Sequence, residues 1–152
     1  MGLTASVASR EVVKSPSREV VSGVEKDKSI RSYKDLEVWQ VAVDLAEACY
    51  RHTRSYPKEE LYGMTSQIRR CAVSIAANIA EGYGREQTGS FIQFLRVAQG
   101  STKELDTHLT IAKRVELSRD DEIEPLIQLC DRVGRMLRNL IRSLEAKRDT
   151  PA

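Results

Sequence analysis

Between Phe91 and Ala112 an apolar or small residue returns every three or four positions: Phe91, Leu95, Ala98, Thr102, Leu105, Leu109 and Ala112. At about 100° per residue these positions share one narrow face, which predicts an amphipathic helix over residues 89–115. Such a stripe has to be covered by other elements. Those elements are expected to be helices too, because the same period recurs three more times and no alternating strand pattern competes.

The helix before it, over 65–83, carries Met64, Ile68, Cys71, Ile75 and Ile79, with Ala72, Ala76 and Ala80 alongside to admit a close neighbour. The last helix opens at Ser118-Arg119-Asp120-Asp121, close to a capping box, and follows Ile123, Leu126, Ile127, Cys130, Val133, Leu137, Leu140, Ile141 and Leu144. Pro125 should kink or restart its first turns by removing an amide. Thr88 is placed to cap the third helix.

The first helix, over 36–55, has two apolar sides. Trp39, Ala42, Val43, Ala46, Tyr50 and Thr53 share a face, and Val38, Val41 and Leu45 widen the arc beyond what one buried side requires. Either this helix sits centrally or Val38, Val41 and Leu45 meet another subunit. Tyr56-Pro57 ends it, and Pro57–Glu60 can open a short turn. Four long helices with short connections make an all-α, antiparallel up-down four-helix bundle the economical arrangement, spanning 32–146. Residues 1–31 mix serine and isolated valines with charges and are expected to be a disordered tail; residues 147–152 form a short C-terminal one.

Of 24 Lys/Arg and 22 Asp/Glu, six and four lie in residues 1–32, which leaves eighteen of each and a formally neutral bundle. Polyanion binding would need a local basic patch. Cys49, Cys71 and Cys130 are far apart without CxxC spacing, which argues for three buried thiols in a reducing cytoplasm rather than disulfides or zinc. No apolar run approaches the roughly 18–20 residues of a membrane span. Arg10, Glu11 and Lys14 interrupt any signal-peptide core, so a cytoplasmic chain without membrane contact is expected.

Candidate chemistry is sparse. His52 is expected on the surface, and His108 follows Glu104 by four residues, one pair where a bundle di-metal site needs about two Glu-x-x-His units. No Gly-rich phosphate loop or nucleophile elbow is present. No catalytic residue, metal or cofactor is therefore expected. Arg132, Arg135, Arg138 and Arg142 line one side of the last helix, either as a phosphate-contacting ridge or as an ordinary solvated face. Arg69 and Arg70 lie off the stripe of the second helix. In Ser74–Arg85, SIAANIAEGYGR, Asn78 falls on the core side and needs hydrogen-bond partners, expected across helices. Glu81 can pair with Arg85, and Gly82 and Gly84 suit a helix end where positive φ is needed.

Several of these stretches resemble one family. Ser32–Gln40 (SYKDLEVWQ) looks like the opening of the bacterial four-helix-bundle proteins encoded by intervening sequences of large-subunit ribosomal RNA genes. Tyr62–Arg70 (YGMTSQIRR) is similar to that family's YGLTSQLRR, and SIAANIAEGYGR to its SIPSNIAEGYGR. Phe91–Leu95, Gly100-Ser101, Arg135–Leu137 and Leu140-Ile141 also fit, so the likeness spans residues 32–145. Ala76 and Ala77 replace the family's Pro-Ser, which should leave the helix straighter there and remove a hydroxyl. The resemblance implies a ring-like homopentamer. It extends to the accessory proteins of diversity-generating retroelements, which bind nucleic acid and a reverse transcriptase through basic surfaces. The expected function is thus a non-enzymatic oligomer binding structured RNA, with Arg69, Arg70, Arg85, Arg132, Arg135, Arg138 and Arg142 as candidate contacts. The competing expectation is a protein-interaction scaffold. A more distant one is a small-molecule site near Asn78 and Glu81 at a subunit interface.

Overall fold

The computed structural model describes residues 29–152. Most of the expected disordered tail, residues 1–28, lies outside the described residues. Four helices make up the fold: α1 Glu37–Thr53, α2 Met64–Gly84, α3 Thr88–Arg114 and α4 Asp120–Asp149, and no strand occurs among the described residues. Single 3-10 turns at Tyr33–Asp35 and Lys58–Glu60 precede α1 and α2. α4 runs past the boundary expected at residue 146, to Asp149.

Packing follows chain order. α1 lies against α2 and α4, α2 against α3, and α3 against α4, while α2 and α4 occupy diagonal positions. The pairings are antiparallel. Arg96 near the start of α3 meets Glu145 near the end of α4, and Lys113 near the end of α3 lies 3.1 Å from Glu124 near the start of α4. The core is the set of stripes: Ile68, Cys71, Ile75 and Ile79 on α2, Leu95, Ala98, Leu105 and Leu109 on α3, and Ile123, Cys130, Val133 and Leu137 on α4. Ile92 rather than Phe91 takes the first core position of α3.

The first helix corrects the expected subunit contact. Val38, Val41 and Leu45 are buried within the single chain, at 4%, 7% and 0% exposure, so they cannot serve as a free face. The spare apolar side is the other one, where Val43 and Tyr50 are exposed. Trp39 stays partly covered by stacking edge-on with Tyr33, ring centres 5.3 Å apart.

Helix ends also depart from the local pattern. Ser32 and Asp35 form a capping box ahead of α1, with the Asp35 carboxylate accepting from the Arg31 and Ser32 amides. α3 begins at Thr88 itself, after Gln87, with no side-chain cap. It ends in a Schellman motif in which the Leu117 amide donates to Ala112 and the Glu116 amide to Lys113, Glu116 taking φ 62°. Pro125 sits inside α4 without interrupting it.

Ser118 does not cap α4, whose N-cap is Arg119. Its buried hydroxyl is held 2.5 Å from the Tyr56 hydroxyl and 2.7 Å from His52 Nε2, joining the end of α1 to the α3–α4 turn. His52 is thus half-buried, not on the surface as expected. Burial lowers its pKa, and nearby Glu122 only partly opposes this. A lowered value means that the unfolded chain takes up a proton first as pH falls. Stability held by neutral His52 should therefore be present above about pH 6.5 and be lost as pH drops from there through the folded pKa. Thermal melting at about pH 7.5 and about pH 5 measures this, and His52→Gln should show a smaller acid loss than the parent chain.

Candidate nucleic-acid interface

α3 and α4 meet along a groove that glycine helps to open. On Gly100 an added Cβ would find nothing within 4 Å, and on Gly134 it would meet only Thr102 Cγ2 at 3.6 Å. The groove has a volume of about 530 Å³. Arg96 and Lys103 border it from α3, Arg135 and Arg138 from α4, against two carboxylates, Asp106 and Asp131. Arg135 pairs with Asp131 and Arg96 with Glu145, both on the surface. Exposed pairs contribute little, about 0–1 kcal/mol, so phosphate oxygens can replace those carboxylates at small cost. Arg138 and Arg142 make no ion pair among the described residues.

The seven candidate arginines do not form one surface. Arg135, Arg138 and Arg142 share the α3-facing and outer side of α4, whereas Arg132 leans to α1, 3.5 Å from Glu37. Arg69 is engaged in packing: its Nε donates to Thr53 Oγ1 at 2.9 Å and its guanidinium lies 4.6 Å from the centre of the Tyr50 ring. Arg85 pairs with Glu81 at 2.9 Å and stacks 5.2 Å over Phe94. Arg70 is exposed on α2, diagonal to α4. Arg96 and Lys103 were missed. Their spacing of seven, with Gly100 between them, was the available signal, but it becomes a groove only once α4 is in register.

The family-like segment is structural. Asn78 donates to the Ser74 carbonyl at 2.8 Å and to Ser74 Oγ at 3.0 Å, within its own helix rather than across helices as expected. The crossing link is Ser74 to Ser101 on α3, 2.9 Å between hydroxyls. No glycine among the described residues has positive φ; the left-handed residue after α2 is Glu86, at φ 59°. Gly82 is needed instead because a Cβ there would lie 2.5 Å from Phe94 Cβ. Gly84 has open space around it.

Another depression, about 930 Å³, lies at the α3–α4 turn. Its rim holds Lys113, Arg114 and Arg119 against Glu116, Asp120, Glu122 and Glu124, a balance that does not favour a polyanion. Cys49, Cys71 and Cys130 are buried and free, and burial pushes each thiol up to about 12. Cys71 lies close to two other metal-ligating groups, Glu104 and His108. No helix among the described residues is long and apolar enough to cross a membrane.

The family model of 23S rRNA-intervening sequence proteins matches residues 34–139. A crystal structure from Bacteroides thetaiotaomicron VPI-5482, of a protein with unknown function from the S23 ribosomal protein family, is similar at TM-score 0.62 and 22% identity. The match covers 68% of this chain and 97% of that one, and at this identity it speaks to the fold. No curated protein matches the sequence.

Proposed function

The chain belongs to the 23S rRNA-intervening sequence protein family, and from that premise we propose that it is a non-enzymatic homo-oligomer that binds structured RNA through phosphates. The supporting observation is the α3–α4 groove, where four cations outnumber two carboxylates in a bundle whose total charge is balanced. Guanidinium and ammonium groups along one groove suit a phosphate backbone and read shape rather than base sequence. One such groove is weak, and repetition around an assembly multiplies it. Val43, Tyr50, Leu61, Tyr62 and Val73, exposed on α1, α2 and the segment between them, supply an apolar face for association between copies. A ring of five is the arrangement implied by the resemblance.

Fluorescence anisotropy on a stem-loop RNA, over a salt series, tests this reading. Affinity should fall steeply with salt, and Arg135→Ala with Arg138→Ala should reduce the log–log slope by about 2. Arg69→Ala should leave the slope unchanged, because its guanidinium is held by Thr53 and Tyr50. Light scattering on the same sample should find an oligomer. Absence of binding at low salt would overturn RNA recognition and favour a protein-interaction scaffold, such as an accessory subunit to a reverse transcriptase. The same exposed apolar face supports that second reading.

A further inference from the structure

Away from the basic groove, the α2–α3 contact gathers three different metal-ligating side chains. Cys71 comes from α2, and Glu104 and His108 lie one turn apart on α3. Their donor atoms, one thiol sulfur, one carboxylate oxygen and one imidazole nitrogen, all lie within 4.8 Å of one another. Cys71 is 4% exposed. His108 Nε2 is buried with no hydrogen-bond partner. Glu104 Oε1 is 3.5 Å from it, near enough for an ion pair but out of line for a hydrogen bond. A buried imidazole nitrogen left unpaired loses its hydration without recompense, and such exceptions call for an explanation.

We propose that Cys71, Glu104 and His108 form a three-ligand site for a zinc-class divalent cation, with a fourth position open to the small cavity beside them. Sulfur, nitrogen and oxygen donors together suit borderline-soft Zn²⁺ rather than Mg²⁺ or Ca²⁺, which take oxygen. Zinc bonds of about 2.0–2.3 Å place tetrahedral ligand atoms about 3.3–3.7 Å apart. The Glu104–His108 separation of 3.5 Å already fits, and a pair at the 4.8 Å limit has to close by about 1 Å, a side-chain adjustment.

The cavity, about 140 Å³, is lined by Gln67, Arg70, Ser74 and Ser101 besides Cys71 and Glu104, and has room for a water as fourth ligand. Thiolate and carboxylate together balance the two positive charges of the ion, so the occupied site is neutral beside the Arg70 cation. Without metal, burial first and Glu104 second hold the Cys71 thiol protonated. Binding the ion displaces that proton to solvent.

The full chain, freed of metal by a chelator and dialysed, is titrated with Zn²⁺ by calorimetry and with Co²⁺ by absorbance. One equivalent per chain should bind, and Co²⁺ should show a thiolate-to-metal charge-transfer band. His108→Gln should weaken Zn²⁺ binding at least about 100-fold, beyond the 10–100-fold typical of outer-shell partners. Cys71→Ser should remove the band. Melting of the metal-free variants checks their fold; if Cys71→Ser does not fold, the His108 position, whose side chain is 19% exposed, decides. A folded parent chain that binds no Zn²⁺, or binding that survives His108→Gln unchanged, overturns the site.

Discussion

Replacing Gly82 with alanine should destabilise the bundle by about 1–3 kcal/mol, even though alanine is the better helix former. The added Cβ would lie 2.5 Å from Phe94 Cβ, 3.1 Å from Phe91 Cδ2 and 3.3 Å from the Phe91 carbonyl oxygen. Phe94 Cβ is fixed to the α3 backbone, so no side-chain rotation removes the clash. The helices themselves must part at Gly82. The intrinsic gain of Gly→Ala, about 1 kcal/mol in a helix interior, is smaller than that overpacking cost. Gly84→Ala offers the contrast. Its Cβ would meet nothing within 4 Å, so it should be neutral or stabilising by up to about 1 kcal/mol. The urea midpoint should fall for Gly82→Ala and stay level or rise for Gly84→Ala. Equal stabilisation by both would show that α2 and α3 are not in close contact at Gly82.

Leu105→Ala should cost more, about 2–5 kcal/mol. Leu105 lies at 0% exposure in the middle of α3, and its truncation leaves a cavity in the core that helices on both sides can fill only by shifting. That loss is a large share of the 5–15 kcal/mol typical of a whole domain. Val97, on the same helix at 53% exposure, should change stability by no more than about 0.5 kcal/mol as alanine. Denaturant midpoints of the two variants test which side of α3 faces inward. A Leu105→Ala midpoint close to that of the parent would contradict the core assignment.

The stripes of α2, α3 and α4 were legible because each has one apolar face, and a period of 3.6 residues then leaves one solution. α1 was not, because it has two. Val38, Val41 and Leu45 on one side and Val43 and Tyr50 on the other satisfy the same rule, and only the neighbours decide which side goes in. Ser118 and Gly82 fail for a related reason. Each fits a local pattern, a cap or a helix exit, but is claimed by a partner far along the chain: Tyr56 and His52 for the serine, Phe94 for the glycine. The α4 arginines could be read from the sequence, since they follow one helix. Arg96 and Lys103 joined them only through the register of α3 on α4. Cys71 met Glu104 and His108 in the same way, across two helices.

The helices differ in length: α1 has 17 residues and α4 has 30, about 25 Å against about 45 Å at 1.5 Å per residue. α1 begins at Glu37, level with Arg132, and the turn before it lies against α1 and α2 and not against α4. α4 continues to Asp149 and keeps α3 at its side, as the Arg96–Glu145 pair shows. The molecule is therefore stepped in profile, with the end of α4 standing beyond α1 as a ledge. Arg138 and Arg142 are on that ledge. Both face α3 and the outside rather than α1, so lengthening α1 at its N-terminal end would cover the partly buried Met136, Leu140 and Leu144 and leave the two arginines open.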